Sequence, residues 1–498
     1  MVTAAYASGL DNDFVGDDLE WVRFALDVRD DPSRIFSLFS GFVTPAMNAT
    51  VGLNAAAAGT EAWIYNLTGL LFHVLNVVLL KRLIAIATHS SAISWWTALW
   101  WGVHYRHDEA VFWLGGRPHV LVITGVLSAL LFQHRWMRTG NRAFLGFCLL
   151  AGEFAILSKE SGVMVAPLAA LWIMLFERRE VHRMEGRWRW SAAAGLALAA
   201  AVHAGILWGV RTEHQFYYRL DLSFLGRLAE THLAAAGIAA PDPSPAWLLI
   251  PVVATWAALF LKGGSTVRFG LMVMLLGTLP TALIEFQPPR YRYFPLAGAA
   301  FVLAGLAAAL MPRLRQGLRP IAAAAPALLC AWLAIGVLND EAFLDEAGRI
   351  HRSLRDAFCD SARQRDPAEP LVVIWDPAFR GVEALKDAAT RERWIDIRNY
   401  PPIYVRVNGL EGMAEAETLL ALCEDGAAGP RVGRLLGAGA LDRIQGGEFD
   451  LMLYADGRFR RGGETEKQEA LQTIAATFAT GRSLPDRRLA RWAVLVER

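Results

Sequence analysis

Charge is scarce in this 498-residue chain. Charged residues make up 19% of it, against roughly 25% in an ordinary soluble domain, and the net charge is only +1. Without an excess of positive charge, binding to nucleic acid through bulk electrostatic attraction is excluded. The scarcity is also uneven. The first 339 residues carry 47 charged side chains, about 14%, while the remaining 159 carry 50, about 31%. That split excludes an evenly composed soluble protein. It predicts a membrane-embedded body followed by a water-soluble tail of domain size. Cysteine is sparse too. Cys148 and Cys330 lie in apolar runs, and Cys359 and Cys423 lie 64 residues apart in the tail. No spacing suits zinc; the two tail thiols either pair in an oxidising compartment or stay ordinary thiols. The start, MVTAAYASGL, lacks the basic n-region of a signal peptide. It resembles the last turns of a membrane helix but is too short to span, so an upstream helix is expected to be missing.

What the chain has instead is apolar length. Hydrophobic residues make up 54% and mean hydropathy is +0.30. Runs approaching the roughly 17–25 residues a bilayer requires are predicted at 62–84, 91–105, 117–134, 142–158, 161–177, 190–210, 246–262, 269–286, 294–311 and 319–338. Lys and Arg fall about two to one on one set of connecting loops, among them Lys81, Arg82, Arg135, Arg138, Arg178 and Arg268. The positive-inside rule therefore puts 1–61 and the tail on the outer side. In 11–61, Leu19, Val22, Phe24, Ala25 and Leu26 alternate with charges at helical spacing, which predicts short surface helices; a second outer loop, 211–245, is similar.

The tail reads as mixed α/β: a charged helix near 341–365, a buried strand over Leu371–Trp375, a strand over Tyr404–Val407, helices near 412–424 and 464–480, and a hairpin over Asp450–Arg461 around Asp456-Gly457. The expected architecture is an all-α polytopic membrane protein of about 10–11 transmembrane helices with a C-terminal soluble α/β domain. It divides into an outer loop at 1–61, a membrane domain at 62–338 and an outer domain at 339–498.

Ionisable residues at a membrane boundary are functional candidates by default. They gather on the outer side: Asp11, Asp13, Asp17 and Asp18; His104, His107, Asp108, Glu109 and Arg117; Lys159 and Glu160; Arg290, Tyr291, Arg292 and Tyr293. A pocket there could hold phosphate on cations and a general base on a carboxylate. The ordinary reading of each charge alone is a solvated loop. Asn66, His73 and Asn76 form one stripe of the first long helix, expected to hydrogen-bond between helices. Glu153, inside the fourth run, needs a partner.

These same segments resemble the class C (GT-C) glycosyltransferases, in particular the protein O-mannosyltransferase-like group that includes the transmembrane-and-TPR proteins. YNLTGLLFHVLNVVLLKRL carries Asn66, His73 and Asn76. HYRHDEAVFWLGGR (His104–Arg117) is similar to the group's H-P-x-H-x-E-A-V-x-W-x-S-G-R. AILSKESGVMVAPL resembles its L-S-K-E segment, RYRYFPLAG its E-R-Y-x-Y-x-P segment, and FVGDDLEWV its F-x-x-D-D segment. Together they cover about the first 310 residues. Tyr105, Gly115 and Pro289 replace the group's proline, serine and glutamate, and Val43-Thr44-Pro45 stands where it has Y-R-P. No 34-residue repeat marks the tail as TPR.

The resemblance implies an inverting enzyme that moves a sugar from a polyprenyl-phosphate donor to a protein or glycan acceptor. The reaction would take place on the outer, periplasmic side of a bacterial inner membrane. It implies Asp17 or Asp18 as base, and Arg117, Arg290 and Lys159 on the donor phosphate. His104, His107, Glu109, Glu160, Tyr291 and Tyr293 would orient the acceptor; no cofactor is required, with a divalent ion on His107 and Glu109 as the alternative to their acceptor role. The rival readings are a transporter or flippase of lipid-linked sugars and a non-catalytic envelope scaffold.

Overall fold

The computed structural model describes residues 1–14, 18–39, 42–177, 190–209, 223–235, 246–284, 288–314, 316 and 326–338, and beyond them 349, 352, 371–375, 434–435, 450–455, 458–465, 467–468 and 492–497. The chain folds as two compact units. One comprises Met1–Leu10, Asp31–Thr50 and Tyr65–Glu341; the other comprises Asp11–Asp30, Val51–Ile64 and Ala342–Arg498.

The first unit is helical. The short α1 (Val2–Ala5) opens the chain, and α2 (Asp18–Asp30) belongs to the other unit. Next come α3 (Pro45–Ala58), which belongs to the other unit from Val51 onward, α4 (Ala62–Thr88), which joins the first unit from Tyr65, α5 (Ser91–Gly102), the short α6 (Asp108–Phe112), α7 (Arg117–Thr139), α8 (Arg142–Ser158), α9 (Val165–Phe176), α10 (Ser191–Gly209) and α11 (Ser223–Ala235). They are followed by α12 (Leu249–Lys262), α13 (Ser265–Ala282), α14 (Tyr293–Leu310) and α15 (Pro326–Leu338). A helix stands at each predicted apolar run. Among the described residues, the segments built on α4, α7, α13 and α14 are long and apolar enough to cross a membrane.

The faces of α4 show why this composition suits a bilayer. Gly69, Leu70, His73, Asn76, Val77 and Leu80 are buried, while Leu71, Leu75 and Val78 on another face are exposed. An exposed leucine stripe is costly in water and neutral against acyl chains. The centre of the unit is α7, whose residues Arg117–Leu127 are all buried and which packs on α8 and α9. Gly140, at φ +71°, ends α7 in the left-handed conformation that glycine adopts without strain. The α13–α14 pair is held by a close backbone approach: a Cβ on Gly270 would stand 2.6 Å from the Gly298 carbonyl oxygen, so both positions need glycine.

Some expected boundaries move. The second run was expected to reach residue 105, but α5 ends at Gly102. His104 is extended and its Nδ1 accepts from the Arg106 amide at 3.3 Å, starting a 3-10 turn over Tyr105–His107. The run 11–61 yields α2, as its charge alternation predicts, and also α3. The segment 211–245 carries α11.

In the other unit, five strands form one sheet in the order β2-β5-β1-β3-β4: β1 (Leu371–Trp375), β2 (Arg434–Leu435), β3 (Asp450–Ala455), β4 (Arg458–Arg461) and β5 (Trp492–Glu497). β1 runs parallel to β3, with Val373 opposite Met452, and antiparallel to β5. β3 and β4 form a hairpin, with Tyr454 opposite Phe459. The expected strand at 404–407, the helix near 412–424, most of those near 341–365 and 464–480, and both tail cysteines lie outside the described residues. Arg352 pairs with Asp13 at 2.8 Å.

Candidate functional site

The site grows from the breaks between helices in the first unit. After α5 the chain makes the Tyr105–His107 turn, then α6, then a 3-10 turn at Leu114–Gly116 leading into α7. After α8, Lys159 adopts extended backbone (φ −169°) and a 3-10 turn follows at Glu160–Met164. Before α14, Pro288 is extended and Pro289, lacking an N–H, opens the turn Pro289–Arg292. These breaks come together. The Pro289–Arg292 turn packs on both the Tyr105–His107 turn and α6, and the Glu160–Met164 turn packs on α7 and α13.

One carboxylate organises the cluster. Glu109 of α6 accepts the backbone N–H of Arg290 on Oε2 at 2.9 Å, and its Oε1 pairs with Nη1 of the same residue. Both side chains are largely buried, so the pair is charge-balanced and locks the turn to α6. The Arg290 guanidinium also lies 4.2 Å from the Trp113 ring centre and 5.2 Å from that of Tyr291. Arg292, 2% exposed, pairs with Glu230 of α11 at 3.1 Å.

Lys159 is differently placed. Its Nζ is 3.7 Å from Glu160 and 4.6 Å from the centre of the Phe42 ring, so its charge is less compensated than that of Arg290. Lys159 and Arg290 both lie within electrostatic range of His119, whose ring is 5.3 Å from that of Tyr291. Arg117 is 1% exposed and donates from Nη2 to the Tyr65 carbonyl at 2.7 Å. It ties α7 to α4, and a phosphate could touch it only by reaching that buried seat.

Beneath this layer runs a polarised network. His73 Nε2 lies 2.9 Å from the Gly102 carbonyl, so that nitrogen carries the proton and Nδ1 is an acceptor. Tyr293 then donates its hydroxyl to Nδ1 at 2.8 Å and accepts from Asn76 Nδ2 at 3.1 Å. Asn76 also donates to the Val120 carbonyl at 2.9 Å and accepts from Thr124 at 2.8 Å. The network joins α4, α5, α7 and α14, and gives His73 and Asn76 the interhelical bonding expected of their stripe. His107 rings pack 4.6 Å from Tyr293 and 4.8 Å from Trp101. His104 stacks on Tyr105 at 5.1 Å, and its carbonyl accepts from Tyr6 at 3.2 Å.

Burial, with Arg106 and Arg292 nearby, holds the His104 imidazole down to about 3. Burial also holds His107 well below the usual histidine value, helped by His73 and His104. Both rings are therefore neutral at pH 7, suited to packing and hydrogen bonding rather than to carrying charge.

Of the expected site residues, the first unit brings together His104, His107, Glu109, Lys159, Glu160, Arg290, Tyr291 and Tyr293, with Arg117 behind them. Asp18 belongs to the other unit, at the first turn of α2, where a carboxylate is favoured by the helix dipole; it is 2% exposed. Asp17 lies outside the described residues. Glu153 is within electrostatic range of His203 on α10, as is Glu160. The sequence reading missed His119, Trp113, Phe42 and Glu230. His119 had one usable signal: it stands two residues after Arg117, at the head of a membrane helix. Among the described residues no group of three or more His, Cys, Asp or Glu is arranged to hold a metal ion.

No protein-family model and no curated protein sequence matches the chain. Among solved structures, ArnT from Cupriavidus metallidurans bound to undecaprenyl phosphate is similar at a TM-score of 0.50 and 12% identity, covering 100% of this chain and 96% of that one. The archaeal oligosaccharyltransferase AglB from Archaeoglobus fulgidus, in complex with an inhibitory peptide and a dolichol-phosphate, scores 0.47 at 12% identity, over 91% of this chain and 68% of that one. The likeness to ArnT runs almost end to end in both chains and shows that the two share a fold.

Proposed function

We propose that this chain is a membrane glycosyltransferase that takes a sugar from a polyprenyl-phosphate donor and passes it to an acceptor on the outer side of the membrane, inverting the anomeric carbon. One observation carries the reading. In a fold shared with a structure bound to undecaprenyl phosphate, the breaks between helices place Lys159 and Arg290 within electrostatic range of one residue, His119.

The chemistry suits these residues. The bond that breaks joins the anomeric carbon to a phosphate oxygen, and the departing phosphate gains negative charge. A cation held in a partly buried seat stabilises that charge more than it stabilises the intact donor. Lys159 is assigned this role, because Arg290 is already balanced by Glu109. Arg290 serves by shaping the wall: its guanidinium orders Trp113 and Tyr291, aromatic faces of the kind that pack against sugar rings. His104, His107 and Tyr293, neutral and buried, hold the helix ends in register. Glu160 sits beside the phosphate cation and is assigned to acceptor orientation.

The base that takes the acceptor hydroxyl proton is assigned on the family resemblance alone, to Asp17 or Asp18. Transfer of the protein O-mannosylation kind is the finer form of the proposal. In it the α/β tail faces the periplasm and presents the acceptor. No divalent ion enters the scheme.

The test is direct. Full-length protein, purified and mixed with radiolabelled polyprenyl-phosphate sugars and a membrane extract as acceptor source, should release polyprenyl phosphate. Asp17→Asn or Asp18→Asn should abolish release. Normal turnover in both variants would refute the assigned base. No release with any sugar would refute the activity.

A further inference from the structure

A cavity of about 470 Å³ opens between the C-terminal parts of α4 and α7 and the start of α8. It belongs to none of the machinery above. Arg82 lies 13 residues along α4 from Gly69, which packs on Val111 of α6; at 1.5 Å per residue that is about 20 Å towards the opposite end of the helix.

The lining has two parts. Leu79 and Ile86 of α4, Phe132 of α7 and Phe144 of α8 supply apolar walls. Lys81, Arg82 and Arg135 supply positive charge. Among the described residues no carboxylate pairs with these three. The nearby Glu177 is committed elsewhere: it holds His134 at 2.6 Å and accepts from Trp172 at 3.2 Å. Three cations with no carboxylate partner among the described residues are unfavourable to each other at one cavity unless an anion joins them.

The depth is also informative. Lys81 Nζ lies 4.9 Å from the Trp95 ring centre, and Trp95 is exposed. A tryptophan beside a lysine at helix ends marks the level of lipid headgroups. An occupant must therefore be anionic at that level and apolar just inside it.

We propose that this cavity seats one anionic glycerophospholipid of the surrounding leaflet. Its phosphodiester lies on Lys81, Arg82 and Arg135, and the first part of an acyl chain lies against Leu79, Ile86, Phe132 and Phe144. The site is independent of the reaction assigned to the chain.

Native mass spectrometry of the full-length protein, delipidated in detergent and titrated with phosphatidylglycerol, tests it. Each headgroup-level cation contributes about five-fold in affinity, so Arg82→Gln/Arg135→Gln should bind phosphatidylglycerol roughly 30-fold more weakly. Ala85→Phe fills the cavity and keeps every cation, and should lose binding as well. Phosphatidylcholine should bind the wild type and the charge variant equally weakly. The proposal is overturned if phosphatidylcholine matches phosphatidylglycerol, if either variant retains wild-type affinity, or if millimolar inorganic phosphate displaces the lipid, which would mark a small-anion site. Tighter binding of undecaprenyl phosphate than of phosphatidylglycerol, lost in the same variants, would equally overturn it in favour of a carrier-lipid site.

Discussion

Removing one oxygen from Tyr293 should loosen four helices at once. Its hydroxyl makes two buried bonds, donating to His73 Nδ1 at 2.8 Å and accepting from Asn76 at 3.1 Å. In Tyr293→Phe, Asn76 keeps the Val120 carbonyl, so one acceptor, His73 Nδ1, is stranded. Each lost bond is worth about 0.5–1.5 kcal/mol net, and a buried group left without a partner costs about 1–3 kcal/mol. Hydrogen bonds between membrane helices average nearer 0.6 kcal/mol, because the unfolded state in lipid finds other partners. His73 and Asn76 are fully enclosed by protein, so we expect a loss of about 1–2 kcal/mol. The assay is reversible unfolding by SDS in mixed micelles, run as a double-mutant cycle with His73→Phe. In the His73→Phe background the second change strands nothing on that side, so the coupling should be about 1 kcal/mol. A coupling indistinguishable from zero would show that the two groups do not bond and would refute the tautomer assigned to His73.

The Glu109–Arg290 pair gives a sharper stability effect: Glu109→Gln takes the paired carboxylate away from a buried guanidinium and should cost about 3 kcal/mol, while adding Arg290→Gln should restore part of it, read in the same unfolding assay. Acidification should destabilise the protein in a defined window. His104 is held down to about 3 in the folded state and titrates near 6.5 when unfolded. The unfolded state therefore binds more protons as pH falls below 6.5, and stability drops by up to about 1.4 kcal/mol per pH unit for this one group. His104→Asn should flatten the slope of melting temperature against pH between 6.5 and 4. Gly270→Val, at the close approach to Gly298, should cost about 1–3 kcal/mol by overpacking, seen as a lowered melting temperature in detergent.

The helices were legible in the sequence because a bilayer demands long apolar runs, and little else in a protein does. Their ends were less so. α5 stops at Gly102 since His104 caps the following turn through its own ring, a local bond that periodicity does not report. α3, with PAMNATVGLNAAAA, has no charge alternation to mark it, so only α2 was expected by name in that loop. The polar segments of the site were visible as motifs, but their pairing was not. Glu109 and Arg290 are 181 residues apart and His73 and Tyr293 are 220 apart, and nothing in a single sequence says which acid meets which base across such distances. For the same reason, Arg117, Arg290 and Lys159 looked equivalent as phosphate ligands. Only packing separates the buried clamp, the balanced pair and the less compensated lysine.

The central claim is that Lys159 holds the phosphate of a polyprenyl-linked donor. It is tested most directly by titrating undecaprenyl phosphate into purified wild type, Lys159→Gln and Lys159→Arg, with microscale thermophoresis as readout. A charge-assisted contact is worth about 1.5–3 kcal/mol, so Lys159→Gln should bind roughly 10- to 100-fold more weakly, and Lys159→Arg should recover part of the loss. Equal dissociation constants for wild type and Lys159→Gln would contradict the account.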